Sequence, residues 1–342
     1  MAITTRLTER YGVRLPFTQA GMAFAGERPE LALAVGRAGG VGAIGVGFTP
    51  EAELREIIAR MRDAGAPYNI NFITCFGNEE QVRAAAEEKV PIASFHWGLP
   101  PEDQVKRLKD AGSDIWVQVG AVEDGVRAVE LGADLIVAQG WEAGGHNYGG
   151  MGSMALIPAM VDAVGDRAMV LAAGGVADGR GVAASLALGA DGVWVGTRLV
   201  ASAEAHVHPE HHRRLVAASG ADTARSGVFG PEMPDFNPMR LLKVRPVEEF
   251  EGRLEDVPKD RSEEPVIGRT VFLGQPHEKR RFDVILPTPD TTGDFEEMAW
   301  LAGQGVGLVR DIRPAAEIVE EMMRDAEAIL GRIGAEAPAL AQ

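Results

Sequence analysis

The sequence predicts an α/β fold, a (β/α)8 TIM barrel with a C-terminal insertion or lid and extra helices. Eight short apolar runs recur within residues 15–196, and a helical pattern rich in Ala, Glu, Arg and Leu separates each run from the next. The runs are apolar on both faces, as strands are in a parallel sheet that helices cover. Eight such units close a barrel, whereas an open doubly wound sheet usually has about five or six strands.

The predicted strands and helices alternate throughout this region. The strands occupy residues 15–20, 41–46, 68–73, 91–97, 114–119, 134–139, 169–174 and 192–196. The helices between them occupy residues 29–38, 50–64, 78–88, 101–111, 121–131, 153–164 and 178–188. The loops "DAGAP", "DAGSD", "ELGAD" and "ALGAD" each place a glycine after a helical pattern, as a C-terminal cap requires, and a strand then begins.

The pattern changes after residue 205. The segment "HVHPEHHRRLVAAS" starts a further helix, and residues 225–292 are rich in Pro, Gly and charge with weak periodicity. Two more helices are predicted at about 294–304 and 313–333. We therefore expect three regions: a cofactor-binding barrel over 1–224, an insertion or lid over 225–292, and C-terminal helices packing on the barrel over 293–342. The alternative for residues 225–292 is a separate small domain.

The composition excludes several classes of protein. The 342 residues carry a formal net charge of −16, which argues against a nucleic-acid binder, because phosphate backbones attract clustered Lys and Arg. No apolar run approaches the roughly 20 residues that cross a membrane, and the first residues lack the apolar region of a secretory signal. We expect a cytoplasmic protein that binds neither nucleic acid nor membrane.

Cysteine and histidine content gives no metal site. Cys75 is the only cysteine, so neither an intrachain disulfide nor a Cys-based zinc site can form. His206, His208, His211 and His212 lack the combination of helical i, i+4 spacing and a carboxylate that indicates zinc. We interpret them as the solvated start of a helix, and Cys75 as a small loop or core residue.

Glycines follow the last two predicted strands, where barrels often bind phosphate. Gly174 and Gly175 follow the seventh strand, and Gly196 and Thr197 follow the eighth. They offer open backbone amides and a hydroxyl, and residues 197–202 can form a short helix whose N-terminus favours a phosphate. The alternative is that each pair is only a tight turn.

Uncharged polar side chains lie at the ends of other strands. Asn71, Gln118 and Gln139 could hydrogen-bond the edge of a flat heterocycle, although each alone is as readily a core amide. The first strand leads into Ala20, Gly21 and Met22. With one phosphate site, these residues predict a mononucleotide-like cofactor, and FMN fits better than NAD because no GxGxxG sequence is present.

Five stretches resemble the nitronate monooxygenase family, formerly called 2-nitropropane dioxygenases. They are "FTQAGMAFAGERPELALAVGRAGGVGAIG", "IASFHWGLP", "VWVQVGAVEDGVRAVELGADLIVAQGWEAGGH", "LAAGGVADGRGVAASLALGADGVWVGTRLVASAEA" and "LAGQGVG". The resemblance covers about residues 10–210 and resumes near 300, and its most specific part is the pattern QGxEAGGH. It implies a flavoprotein oxidoreductase, a monooxygenase with FMN in a TIM barrel. The flavin contacts that it implies are Asn71, Gln139, Gly144, Gly175, Gly196 and Thr197.

Two positions depart from the family pattern. Gly21 stands where the family usually has Pro, and "NYGG" follows His146 where an Arg is more usual. These departures concern substrate preference more than flavin binding. The strand ends add further candidate cofactor-binding residues to the contacts that the resemblance implies. These are Ala20, Gly21, Met22, Gln118, Gly145 and Gly174.

His146 is the candidate catalytic residue. It lies among glycines in "AQGWEAGGHNYGG", and glycines there indicate that something comes close to the main chain. Gly144 and Gly145 would let the main chain pass against the flavin while His146 faces the substrate. With a pKa near roughly 6.5, His146 could remove the proton alpha to a nitro group as a general base. The resemblance implies that the flavin then oxidises the nitronate and oxygen completes the turnover, giving a carbonyl compound and nitrite.

Other functions stay open on this scaffold. The alternative is an NAD(P)H-dependent flavin reductase of the enoyl-ACP reductase or quinone reductase type, and a further one is a flavin or phosphate-ligand barrel without turnover. His96 could share the pocket with His146 or pack against Trp97. The expected partners are a small-molecule substrate and oxygen, and the sequence allows a homo-oligomer.

Overall fold

The computed structural model describes residues 3–336 and has the predicted TIM barrel. In chain order the strands are β1 (Phe17–Gln19), β2 (Gly42–Val46), β3 (Tyr68–Ile73), β4 (Ile92–His96), β5 (Asp114–Val119), β6 (Leu135–Gln139), β7 (Gly145–His146), β8 (Met169–Ala173), β9 (Gly192–Val195), β10 (Thr223–Ser226), β11 (Met239–Leu242), β12 (Val266–Phe272), β13 (Gln275–Arg280) and β14 (Thr292–Gly293). The helices are α1 (Arg6–Tyr11), α2 (Pro29–Ala38), α3 (Glu51–Asp63), α4 (Glu79–Glu87), α5 (Glu102–Ala111), α6 (Val122–Glu130), α7 (Ser153–Val164), α8 (Gly179–Ala187), α9 (Thr197–Val200), α10 (Pro209–Ala217), α11 (Arg245–Glu249) and α12 (Ala315–Glu336). The eight predicted strands and the seven helices between them are therefore confirmed.

The barrel is a ring of parallel strands in the order β1-β9-β8-β6-β5-β4-β3-β2. A parallel bridge between Thr18 and Val41 joins β1 to β2. Because all eight strands run in the same direction, their carboxyl ends meet at one rim. This topology carries residues that are far apart in the sequence to one end of the barrel.

Large side chains fill the barrel interior, and one of them, Trp194, reaches the cavity at the carboxyl rim. The rings of Trp116 and Trp194 lie 6.1 Å apart between their centroids, and both side chains are buried. The N-terminal helix α1 packs below them: Leu7 is fully buried, and the Tyr11 hydroxyl accepts a hydrogen bond from Trp116 Nε1 at 2.9 Å. This packing leaves the open space of the barrel at the carboxyl rim.

Two small antiparallel sheets lie beyond the barrel strands. The short strand β7 pairs with β11, which pairs with β10, so that Met239 lies opposite His146. The β12–β13 hairpin pairs with β14. Met233, Phe236 and residues 284–287 of this region line the cavity at the carboxyl rim. The interpretation of residues 225–292 as a lid, with boundaries at 224 and 292, stays a prediction.

The predicted helix over 294–304 is wrong. The segment contains the 3-10 turn Phe295–Glu297 and then runs in an extended path. Met298, Ala299, Trp300 and Ala302 are all buried, so the segment lacks the polar face of a surface helix. Its backbone bonds to β11 instead, since the Leu242 N–H donates to the Trp300 carbonyl at 2.8 Å.

The helix predicted over 313–333 is present as α12. It packs against α8 and α2 on the outside of the barrel. The short helix predicted within 197–202 is present as α9, and the helix that begins within "HVHPEHHRRLVAAS" is α10. Within residues 3–336, no helix combines the length and the apolar character needed to cross a membrane.

Candidate active site

One cavity at the carboxyl rim contains every residue that the sequence analysis assigned to the site. Its lining includes Ala20, Gly21, Met22, Asn71, Gln118, Gln139, Gly144, Gly145, His146, Gly174, Gly175, Gly196 and Thr197. These residues come from the ends of strands β1, β3, β5, β6, β8 and β9 and from β7. The structure thus brings together side chains and backbone amides that the sequence spreads over almost 180 positions.

The glycines after β8 and β9 form an open, amide-lined end of the cavity. Gly174 and Gly175 have φ angles of +95° and +75°, which L side chains rarely adopt. A Cβ on Gly175 would meet no protein atom closer than Glu142 Cβ at 3.5 Å, and one on Gly196 would come no closer than Ala20 Cβ at 3.6 Å. A Cβ at Gly175 or Gly196 would therefore make only ordinary van der Waals contacts, whereas one at Gly174 would lie 3.0 Å from the Gly140 carbonyl oxygen. Thr197 Oγ1 accepts a hydrogen bond from the Gly303 N–H at 2.9 Å and can still donate its own proton.

The predicted amide side chains differ in their hydrogen bonds. Asn71 Nδ2 donates to Ser94 Oγ at 2.7 Å, and Gln118 Nε2 contacts His96 Nδ1 at 2.9 Å. Gln139 Nε2 donates to the His146 carbonyl at 3.1 Å, but its Oε1 is buried without a partner within residues 3–336. An orphaned buried acceptor costs free energy unless a ligand donor satisfies it. This oxygen is suited to a ring N–H of a bound heterocycle.

Two glycines of the site are required by packing of the protein itself. A Cβ on Gly21 would lie 2.2 Å from Asn71 Cγ, so glycine at this departure from the family pattern makes room for Asn71. A Cβ on Gly144 would lie 2.4 Å from the Gly303 nitrogen and 2.6 Å from the Ala302 carbonyl carbon. Packing against the segment 302–303 therefore requires glycine at 144, and the expectation that the main chain passes against the flavin there stays a prediction.

His146 lies in an aromatic environment. Its Nδ1 contacts the Phe236 carbonyl oxygen at 2.6 Å, and the two rings lie 3.5 Å apart with 31° between their planes. Trp97 meets the imidazole edge-on at 5.4 Å. Burial, together with nearby His96, lowers the pKa of His146 to about 3. The expected pKa near 6.5 is therefore wrong, and the imidazole is neutral throughout the physiological range.

His96 lines the same cavity and also packs on Trp97, so the two interpretations left open by the sequence both hold. Burial lowers the pKa of His96 to about 4. Trp97 itself has a φ of +70°, an unusual backbone conformation for a bulky residue. Its indole Nε1 donates to the Asp235 carbonyl, which ties the end of β4 to the segment that contacts His146.

The sequence analysis missed several lining residues. Phe48, Phe76 and Phe236 form part of one wall, with ring centroids 5.0 Å apart for Phe48 and Phe76 and 4.9 Å apart for Phe76 and Phe236. Gly303 and Gly305 also line the cavity; they lie in "LAGQGVG", which carried part of the resemblance. No local pattern marked the phenylalanines, because their proximity depends on the tertiary path of three separate loops.

His211 corrects the interpretation of the histidine-rich segment as solvated. Its side chain is buried and lines the cavity, and its Nε2 contacts the Leu301 carbonyl at 3.0 Å. Burial lowers the pKa of His211 to about 4. Across residues 3–336 the structure has no group of three or more His, Cys, Asp or Glu side chains arranged to hold a metal ion. Cys75 is exposed, in the 3-10 turn after β3.

The cavity contains no formally charged side chain. Among the described residues that line it, none is Asp, Glu, Lys or Arg, and its histidines at 96, 146 and 211 are neutral near pH 7. An anionic group bound here must be stabilised by neutral donors such as backbone N–H, hydroxyl, amide and imidazole groups. Such preorganised donors are effective where water is excluded.

Comparisons with known proteins agree with this architecture. A family model described as nitronate monooxygenase matches residues 48–325. A probable nitronate monooxygenase from Bacillus subtilis is 33% identical over 264 residues, which cover 65% of this chain and 76% of the relative. The crystal structure of nitroalkane oxidase from Streptomyces ansochromogenes superposes with a TM-score of 0.76 at 26% identity, covering 96% of this chain and 99% of the other.

A further relative is similar over nearly the whole chain. It is the (3aS,4S,5R,7aS)-5-hydroxy-7a-methyl-1-oxo-octahydro-1H-indene-4-carboxyl-CoA dehydrogenase of Mycobacterium tuberculosis. The identity is 30% over 353 aligned positions, which cover 95% of this chain and 97% of that protein. Similarity therefore extends over both the barrel and the later segments, and it includes a protein named for a different substrate.

Proposed function

Because the chain belongs to the nitronate monooxygenase family, we propose that it is an FMN-dependent enzyme that oxidises alkyl nitronates, and more slowly nitroalkanes, with oxygen to a carbonyl compound and nitrite. One observation carries this proposal. A neutral His146 lines a cavity that has glycines from two adjacent strand ends in its lining and an orphaned Gln139 acceptor in its wall. This arrangement suits a flavin phosphate, a flavin ring edge and a substrate beside the imidazole.

The residues present fit FMN. We assign the phosphate to the amides of Gly174, Gly175 and Gly196 and to Thr197, where a Cβ added at Gly175 or Gly196 would make only ordinary van der Waals contacts. The Gln139 Oε1 would accept from the ring edge, and Asn71 and Gln118 offer further amide groups. When bound, the flavin would supply the redox chemistry, with oxygen as the terminal oxidant.

His146 is proposed as the residue that handles the substrate proton. A carbonyl oxygen only accepts hydrogen bonds, so the contact with Phe236 places a proton on His146 Nδ1 and leaves the lone pair on Nε2. That lone pair would accept the alpha proton of a nitroalkane. The lowering of the pKa from 6.5 to about 3 weakens this base by about 5 kcal/mol. Preformed nitronates need no proton removal, so we propose them as the better substrates.

The test is a comparison of electron donors with purified protein. We expect an FMN absorbance spectrum, and rapid anaerobic bleaching of that spectrum on mixing with 2-propyl nitronate. NADH under the same conditions should bleach it slowly. Bleaching by NADH but not by the nitronate would reject the nitronate oxidation and favour a reductase. A colourless protein that does not take up added FMN would reject the flavin assignment and favour a phosphate-ligand barrel without turnover.

A second candidate is a flavin-dependent dehydrogenase or reductase that acts on an acyl thioester. The observation in its favour is the similarity to the carboxyl-CoA dehydrogenase over 95% of this chain. Acyl-CoA added anaerobically to the flavoprotein, either oxidised or reduced beforehand with NADPH, distinguishes it from the first candidate. The choice of FMN, a cytoplasmic location and a homo-oligomer remain proposals from the sequence.

A further inference from the structure

His96 and His146, which both line the cavity, have opposite hydrogen-bonding character. His96 Nδ1 lies 2.9 Å from Gln118 Nε2, an amide nitrogen that only donates. Nδ1 therefore accepts, and the proton of the neutral His96 ring is on Nε2. No group within residues 3–336 hydrogen-bonds to this N–H, and His96 lines the cavity.

His146 has the reverse arrangement. Its Nδ1 donates to the Phe236 carbonyl at 2.6 Å, so the Nε2 lone pair remains as an acceptor at the cavity. One imidazole thus presents a donor and the other an acceptor to the same space. A substrate with an acidic C–H beside an oxygen acceptor matches this pair.

We propose that His96 is a second catalytic residue, whose Nε2–H donates to the substrate oxygen that bears the negative charge, and that Gln118 is a positioning residue which fixes the His96 tautomer. This proposal rests on the proposed function, because it concerns the nitro or nitronate oxygen.

The proton and electron balance is complete within the pair. His146 Nε2 takes the alpha proton of a nitroalkane, and the C–H electron pair becomes the C=N bond of the nitronate. The N=O π electrons move onto an oxygen, where the His96 N–H stabilises the new charge. With a preformed nitronate the proton transfer is absent, and the same His96 donor binds the anion.

The composition of the cavity gives this donor its importance. None of the described lining residues is Lys or Arg, so no cation neutralises a nitronate. Hydrogen bonds to a charged group are stronger than those between neutral groups. A neutral imidazole held as an N–H donor supplies this bond without placing a positive charge beside His146, which becomes positive itself when it takes the alpha proton.

The tautomer can be tested without turnover. Nitrogen-15 NMR of the FMN-loaded, 15N-histidine-labelled protein distinguishes a protonated from an unprotonated ring nitrogen, and the His96 signals are identified by their loss in His96→Gln. We expect an unprotonated Nδ1 and a protonated Nε2 at pH 7. A protonated Nδ1 on His96 would overturn the proposal even if nitronate oxidation is confirmed.

Two matched substitutions test the role of the donor. In His96→Gln the side-chain amide nitrogen replaces Nε2, whereas in His96→Asn it replaces Nδ1 and does not reach the substrate. We expect His96→Asn to lower kcat/KM for 2-propyl nitronate by about 10- to 100-fold and His96→Gln to restore most of this loss. Both should keep their FMN absorbance. Equal losses in the two variants would contradict the donor role.

An inert anion separates this proposal from the proposed function. Isobutyrate resembles 2-propyl nitronate in size and charge, and its binding is followed by the change in the flavin absorbance spectrum. We expect its Kd to rise by about 10-fold or more in His96→Asn and to change little in His96→Gln. If the wild type oxidises no nitronate but the isobutyrate Kd values follow this pattern, the proposed function is rejected and the donor role of His96 is supported. Unchanged Kd values in both variants would reject the donor.

Discussion

The pKa of His146 leads to a quantitative prediction for the pH dependence of nitroalkane oxidation. If His146 kept the ordinary pKa of about 6.5, its unprotonated fraction would rise about 25-fold between pH 5 and pH 7. Burial lowers the pKa to about 3, so the imidazole is almost entirely unprotonated at both values. We therefore expect kcat/KM for a neutral nitroalkane to stay constant within about 2-fold over this range.

The assay is the initial rate of oxygen uptake with freshly dissolved 2-nitropropane, normalised to bound FMN. The same measurement with preformed nitronate reports the steps after proton removal, so the ratio of the two rates isolates the action of the base. In Phe236→Ala the stacked ring is lost, water reaches the imidazole, and the ratio should gain a pH dependence. A wild-type ratio that rises about 25-fold with a midpoint near pH 6.5 would refute the reasoning.

Three further predictions concern the base, the phosphate site and acid stability. His146→Asn should keep its FMN and lose about 10²- to 10⁴-fold in nitroalkane oxidation, with a smaller loss on nitronates; equal losses on both would mean that His146 binds rather than abstracts. Gly175→Asp should give apoprotein, because its carboxylate would occupy the proposed phosphate site; the matched control Gly175→Ala, which takes the same strained φ of +75° without the carboxylate, should still bind FMN by absorbance. Full FMN occupancy in the Asp variant would place the phosphate elsewhere. His96, His146 and His211 have pKa values lowered to about 4, 3 and 4, so the unfolded chain takes up protons first. Their contribution to stability is complete above pH 6.5 and decreases as the pH falls toward these values, by about 2 kcal/mol for each histidine at pH 5. The urea midpoint at pH 5 should therefore lie well below that at pH 7, and equal midpoints would show that these rings are already hydrated in the native state.

The barrel could be predicted from the sequence because its signals are local. Each strand is a short apolar run, and most of the preceding helices end near a glycine, so neither requires knowledge of distant residues. The convergence of Asn71, Gln139 and Gly175 on one cavity then follows from the parallel topology, which places the carboxyl ends of all strands at one rim. Their convergence does not identify the ligand, so the binding of FMN stays a proposal.

The predictions from the sequence are wrong where tertiary contacts override local patterns. The segment 294–304 has a helix-compatible composition, but the Trp300 carbonyl accepts from Leu242 of β11. His211 lies in a polar stretch of sequence, yet its ring contacts Trp300 and the Leu301 carbonyl. The burial that lowers the pKa of His146 includes packing against the Phe236 ring, which is 90 positions away in a region of weak periodicity, although the hydrogen bond to the Phe236 carbonyl raises that pKa. These contacts join residues that are far apart in the chain, so no local sequence pattern predicts them.

The contacts of His146 indicate that the weakly periodic region, and not the barrel alone, sets the chemistry of the site. The barrel supplies the loop after β6, but the Phe236 carbonyl fixes the tautomer of His146 and the Phe236 ring excludes water from it. Trp97, at the end of β4, holds this segment through its bond to the Asp235 carbonyl. A barrel with the same glycines and the same histidine but a small residue at 236 would therefore have a more hydrated and more basic imidazole. The strength of the proposed base, and with it the proposed preference for nitronates over nitroalkanes, can change through this segment while the proposed cofactor site stays the same.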